Sequence, residues 1–362
     1  MDKNSIVTNT YVLLITAMVF LTACEPPKNL SVPVIPDSDT QRMVWQYWAG
    51  GQNISSSPAY HNETIYFGTH EGKFLAIDAN NGYEKWHFKA KDYIFSSPDI
   101  GNDHVYFGSA DQNIYALDAT TGDVKWKYKT EGVVSSSPVY YDGTIYTGSY
   151  DGYFYAINSE TGNLLWKFKT NGGIKAKAAT DGKSIYFGTV RGNLYCLDLK
   201  TQKILWENTF EERITSEIAI GGDSIYIHPQ GNKLYSINKY NGKSNWAFEF
   251  NFSSEYDSPP AYDNGFIYIG SREEILYCIN AITGKEHWRF KAGDSIYPKP
   301  LIHEDTIYTG SDDKYFYAID KLTGKELWRF KATIRITNQA CYGNGHVFFI
   351  SHHGFLYCLR PD

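Results

Sequence analysis

One eleven-residue phrase recurs through most of the chain and limits what it can fold into. Its clearest copy is Ala116-Leu117-Asp118-Ala119-Thr120-Thr121-Gly122-Asp123-Val124-Lys125-Trp126, and further copies end at Trp86, Trp166, Trp206, Trp246, Trp288 and Trp328. From Trp86 to Trp246 these tryptophans stand 40 residues apart; Trp288 follows after 42 and Trp328 after 40. A period in the forties made of strand-forming residues is the mark of a radial β-array such as a propeller.

Within one period the elements can be read directly. Ser135-Ser136-Ser137-Pro138-Val139-Tyr140, Thr144 to Ser149, Tyr153 to Asn158 and Leu164 to Phe168 are four short β-rich runs, separated at Asp142-Gly143, Asp151-Gly152 and Thr161-Gly162. Glycine takes positive φ at low cost, so each pair marks a tight turn. Four antiparallel strands, A to D from the axis outward, make one blade. The second-strand aromatic appears eight times, at Tyr66, Tyr106, Tyr146, Tyr186, Tyr226, Tyr268, Tyr308 and Phe348. The fourth strand follows only seven of them, and Val44-Trp45-Gln46-Tyr47 matches Lys125-Trp126-Lys127-Tyr128. The reading is an all-β, eight-bladed propeller over 43–362, its last blade closed by the N-terminal strand, which removes an open sheet edge. Such a self-closed ring is expected to be a monomer.

Composition agrees. The apolar content is rich in aromatics (30 Tyr, 20 Phe, 9 Trp), which favours strands. The net charge of −6 and the lack of a basic run argue against a nucleic-acid partner. The repeated tryptophans, with Trp45, are expected to cover the gaps between blades, and the Asp and Thr-Gly of the phrase to fix its turn.

The first 23 residues read as a signal peptide: Lys3 precedes an apolar run, Tyr11 to Leu21, too short for a mature membrane span. Leu21-Thr22-Ala23-Cys24 resembles a bacterial lipobox. This resemblance implies acylation of Cys24, with 24–42 (Pro26, Pro27, Pro33, Pro36) as a semi-rigid tether and a membrane-anchored envelope lipoprotein, outer membrane favoured because Glu25, not Asp, follows.

Two places could carry function. Aligned A strands read Ser57, Ser97, Ser137, Lys177, Glu217, Ser258, Lys299 and Gln339 at one position, and Asp257 and Asn338 fall at the position before. Lys175, Lys177, Glu217, Asp257, Lys299, Asn338 and Gln339 then form a candidate channel-mouth site for a small anion or a partner side chain, or a self-satisfied salt-bridge set. The B–C rim offers Tyr150, Asp151, Arg191, Arg272, Glu273 and His352, loop tips that differ while the framework stays constant. No catalytic triad, phosphate loop, zinc-ligand spacing or c-type haem signature is present, so no enzyme is required and no catalytic residue or metal site is assigned.

The phrase Ala-x-Asp-x-x-Thr-Gly-x-x-x-Trp resembles the tryptophan-docking motif of the quinoprotein-type (PQQ-like) propellers. That family includes dehydrogenases holding pyrroloquinoline quinone (PQQ) and Ca²⁺, and non-enzymatic BamB-like lipoproteins of outer-membrane protein assembly. The enzymes' adjacent-cysteine disulfide has no counterpart among Cys24, Cys196, Cys278, Cys341 and Cys358. The resemblance therefore implies a lipid-anchored scaffold binding an envelope protein, without a cofactor. A reduced PQQ-dependent dehydrogenase, or a glycan- or small-ligand-binding propeller, is the alternative.

Overall fold

Eight four-stranded antiparallel sheets make up the computed structural model, which describes residues 40–50, 53–254 and 258–361. Residues 1–39, with Cys24 and nearly all of the expected tether, and Asp257 lie outside the described residues. Blade one comprises Ala59–His61, Thr64–Gly68, Lys73–Asp78 and Glu84–Lys89, and blade three Val139–Tyr141, Thr144–Gly148, Tyr153–Asn158 and Leu164–Lys169. The same order repeats to blade seven, which ends at Glu326–Lys331. Neighbouring A strands touch, and the blade-one A strand meets Cys341–Gly343 of blade eight, so the ring is closed.

Blade eight takes its outer strand from the chain's beginning. Met43–Trp48 pairs antiparallel with Phe355–Leu359, with Trp45 opposite Cys358 and Tyr47 opposite Leu356. Trp45 and Tyr47 are buried, and the Tyr47 hydroxyl donates to Glu84 of blade one at 2.7 Å. Burying an aromatic of this size contributes on the order of 4–6 kcal/mol before ordering costs. The closing strand is thus held by packing as well as by its ladder.

The repeated phrase sets the seam between blades. Seven docking tryptophans donate their indole N–H to a carbonyl of the next blade. Trp86 reaches Ala119 at 3.1 Å, Trp126 reaches Ser159 at 2.7 Å and Trp328 reaches Pro361 at 2.8 Å, with Trp45, Trp206, Trp246 and Trp288 doing the same. Trp166 packs against the blade-four core beside Leu199. The phrase glycine lies beneath the ring: Gly122 has φ +78°, and a Cβ there would come within 2.6 Å of Trp86. Asp118 Oδ1 accepts the N–H groups of Thr120 and Thr121, which holds the turn. A bulge just before the tryptophan recurs along the C–D ladders, as between Ala156 and Ile157, and bends strand D toward its neighbour.

Blade five departs from this template. His228-Pro229 replaces Gly148-Ser149, and Pro229 has no N–H to give to a ladder. Its second strand stops at Ile227, the third starts at Gly231, and the fourth extends over Ser244–Ser254.

Candidate functional site

The A strands line the axis in two styles. In blades eight to three, small polar groups hydrogen-bond from blade to blade. The Gln339 N–H donates to Ser57 Oγ at 3.1 Å, Ser57 N–H to Ser97 Oγ at 2.9 Å, and Ser97 N–H to Ser137 Oγ at 2.9 Å. These hydroxyls tie the ring together.

Opposite them the wall is charged. Lys299 Nζ lies 2.9 Å from Glu217 Oε2, both side chains about a quarter exposed. Burial pushes the Glu217 carboxyl up, but the Lys299 and Lys177 ammoniums and the Lys299 hydrogen bond outweigh it and hold the carboxyl below its ordinary value. Lys177 is half-buried, and exposed Lys175 pairs with no carboxylate among the described residues. Asn338 is buried and gives its side-chain N–H to Ile54 O at 2.9 Å. The register corrects the alignment in blade six: Ala261 opposes Tyr268 as Ala59 opposes Tyr66. Pro259, not Ser258, therefore takes the channel-facing position. Ser258 is buried, and its carbonyl accepts His228 Nδ1–H at 3.2 Å.

This belt divides the channel. A larger chamber of about 820 Å³ opens toward the B–C and D–A loops, and a smaller one of about 480 Å³ lies on the A–B side. Lys177, Glu217, Lys299 and Gln339 border both. Four of the seven expected channel residues thus meet in one layer, Lys175 and Asn338 line the larger chamber, and Asp257 lies outside the described residues.

The rim residues divide by role. Asp151 accepts the Tyr155 hydroxyl at 2.7 Å and the N–H groups of Tyr153 and Glu131. Glu273 does likewise for the Tyr277 hydroxyl and the Asn251 N–H, so these two carboxylates brace loops of their own framework. Tyr150 is exposed at the mouth of the larger chamber, and Arg191 and Arg272 are exposed beside the ring, Arg191 with its stem close to Gly172. His352 accepts from Arg335 at 2.9 Å; burial first, then the neighbouring Arg335, push its imidazole down to about 4. Burial holds Asp312, near Arg335 in the same wall, above the usual carboxylate range despite that cation.

Arg335, Tyr297 and Phe95 line the larger chamber without having been singled out from sequence. Each stands next to the recurring Ile of the D–A loop (Ile336, Ile296, Ile94), so the flanks of that Ile carry the signal.

A calcium site needs several converging oxygens. Among the described residues no three His, Cys, Asp or Glu side chains could hold a metal. Glu217 is committed to Lys299, and Asn338 turns its amide N–H to Ile54. This donor set does not fit calcium. Cys196, Cys278, Cys341 and Cys358 are free thiols, and burial pushes Cys196 and Cys278 up to about 12, so they are poor nucleophiles.

Comparison with known proteins follows this geometry. BamB from Moraxella catarrhalis superposes with a TM-score of 0.74 at 16% identity, over 88% of this chain and 99% of that one. A europium-containing methanol dehydrogenase gives 0.75 at 15%, over 87% and 85%. The quinohemoprotein alcohol dehydrogenase of Comamonas testosteroni gives 0.75 at 14%, over 88% and 77%. At these identities the likeness is one of fold. No curated protein sequence matches the chain. The family model described as outer membrane protein assembly factor BamB matches residues 32–248 and 249–362. Since those two stretches take in every blade, the chain belongs to the BamB family of PQQ-like β-propellers.

Proposed function

We propose that this protein is a lipid-anchored scaffold of the bacterial cell envelope that takes part in outer-membrane protein assembly, holding a protein partner on the B–C and D–A face of the ring. The family match carries this reading. The face supports it: Tyr93 and Tyr150 are 50% and 46% exposed, with Arg191 and Arg272 exposed on the same rim. Tyrosine and arginine are the side chains that most often anchor protein interfaces. Cys24 is the proposed acylation site, and the outer membrane the proposed location. The ring needs no second copy to close, in keeping with a monomer.

Co-purification from native membranes tests the scaffold. The double variant Tyr150→Ala/Arg191→Ala is expected to lower recovery of outer-membrane assembly proteins about tenfold. Leu322→Ser, in an exposed C–D turn at the opposite end of the blades, should leave it unchanged. Failure of the unaltered chain to retain any assembly protein would remove this reading. Cys24→Ala is expected to leave the membrane pellet; a variant still sedimenting with membranes removes the anchor. The dehydrogenase alternative rests on a fold shared with the quinoproteins. It requires a quinone absorbance after incubation with PQQ and Ca²⁺, and an unchanged spectrum discards it.

A further inference from the structure

The two chambers differ in charge balance, and the charged belt lies where they meet: in the smaller one, among the described residues, Lys177 and Lys299 are matched in number by Asp99 and Glu217. The walls of the smaller one are mixed: Val139, Ile218, Ile220, Pro300, Leu301 and Ile302 stand beside Thr180 and Asp99, whose carboxylate accepts the Ile100 and Tyr140 N–H groups. Its volume of about 480 Å³ falls in the ordinary range of small-ligand pockets. Among the described residues the wall of the larger chamber carries Lys175, Lys177, Lys299 and Arg335 against Glu217 and Asp312, an excess of two positive charges. That surplus is concentrated inside a chain whose formal net charge is −6. The aliphatic part of the smaller chamber's wall favours an occupant that displaces water, and a cationic recess with low-dielectric walls concentrates anions.

We propose that the channel is a receptor for an amphiphilic carboxylate, its apolar body in the smaller chamber and its head at the belt beside Lys177. Lys299 is already matched by Glu217, so among the described residues the charge left to answer is that of Lys177, with Lys175 on the larger-chamber side. The Gln339 side-chain amide borders both chambers, and among the described residues no hydrogen bond engages it. Ammonium and amide together offer donors to the two oxygens of one carboxylate. Two sources carry this chemistry: a free acyl carboxylate and the C-terminus of an apolar peptide.

Titration calorimetry on the purified full chain tests the inference with octanoate, neutral octanamide and acetate as probes. Octanoate is expected to bind at least tenfold more tightly than either of the others, since each of those lacks one half of the match. Lys177→Gln should weaken octanoate about tenfold, whereas Glu217→Gln, which removes the competing anion, should tighten it. Opposite changes from two neighbouring neutralisations cannot come from general unfolding. Ala179→Phe, which fills the smaller chamber, should abolish octanoate binding in a protein whose thermal unfolding shows it folded. Equal affinity for octanoate and octanamide, no response to Lys177→Gln, or no binding of any probe at millimolar concentration overturns the proposal. An acetylated Leu-Val-Leu acid, compared with its amide and with octanoate, assigns the source by which acid binds more tightly. A rim that captures no protein would leave these titrations unchanged, so the two readings fail separately.

Discussion

Tyr153-Phe154-Tyr155-Ala156-Ile157-Asn158 of blade three and Tyr315-Phe316-Tyr317-Ala318-Ile319-Asp320 of blade seven differ at one residue, whereas the A strands of the same blades carry Ser137 and Lys299 at the channel. The third strands sit in the wedge between blades, where Phe154 stacks on Phe187 at 4.0 Å and Phe316 on Phe349 at 4.2 Å. Close-packed interiors feel a change of a single methylene. The A-strand positions face solvated space, where an ammonium and a hydroxyl can serve equally well. The ring is therefore specified from its outer half, and the inner wall is left to vary with function.

If that division is right, the largest loss comes from breaking a seam. Trp126 is 8% exposed, packs between blades two and three, and donates to Ser159 O at 2.7 Å. Trp126→Ala is expected to cost about 3–5 kcal/mol in denaturant unfolding, because it opens a cavity and leaves the Ser159 carbonyl with only the longer bond from the Tyr106 hydroxyl, 3.3 Å. Ser137→Ala, on the channel side of the neighbouring blade, should cost no more than about 1 kcal/mol. Similar losses at both positions would erase the distinction between wedge and wall.

The same distinction decides what could be read from sequence. Blade count, strand order and the borrowed closing strand were legible because a Trp, a tight turn and a short Asp or Asn before it each perform one recurring task, Asn158 and Asn280 accepting the same turn N–H groups as Asp118. The charged arc was legible as a list, since Lys177, Glu217, Lys299 and Gln339 break a run of serines. Blade six slipped by one residue because Ser258-Pro259-Pro260 offers two prolines where other blades have one, and only the pairing of Ala261 with Tyr268 resolves it. Asp151 and Glu273 looked like free rim charges; that a tyrosine hydroxyl four residues on would claim each one depends on the turn's three-dimensional shape. Arg335 was passed over because it precedes the strand rather than lying in it.

Blade five tests the boundary from the other side, since its framework position departs from the template. His228 stands where blade three has Gly148, is 3% exposed, and packs its ring 5.1 Å from Phe250. Burial pushes its imidazole down to about 4, partly countered by the bond to Ser258 O. Nδ1 donates that bond, and Nε2 is buried with no partner among the described residues, which fits the neutral form. Below pH 6.5 the unfolded chain takes up a proton that the folded one refuses until about pH 4. Stability is then fully present above pH 6.5 and falls as pH drops through that window, by about 3 kcal/mol in all. Urea midpoints measured between pH 7 and 4 should show this slope in the unaltered protein, and His228→Gln should lessen it, leaving the part that His352 contributes. An unchanged slope in the variant would assign the acid sensitivity elsewhere, with His352 the next group to replace.

The smallest expected effect is the most informative about the channel. Breaking a desolvated ion pair costs about 3–5 kcal/mol, and breaking a hydrated one about 0–1 kcal/mol. Lys299 and Glu217 touch at 2.9 Å, yet each side chain keeps about a quarter of its surface exposed and borders both chambers. A wet wall therefore predicts a coupling of about 1 kcal/mol or less in the double-mutant cycle of Glu217→Gln and Lys299→Gln, read from unfolding free energies. Glu217→Gln alone would also leave Lys177 and Lys299 without their shared carboxylate, so its loss should shrink as salt rises from about 0.05 to 0.5 M and screens their repulsion. A coupling of 3 kcal/mol or more, insensitive to salt, would mean that water does not reach the belt. The inner wall would then be as tightly specified as the seams, and the contrast between them would have to be drawn elsewhere.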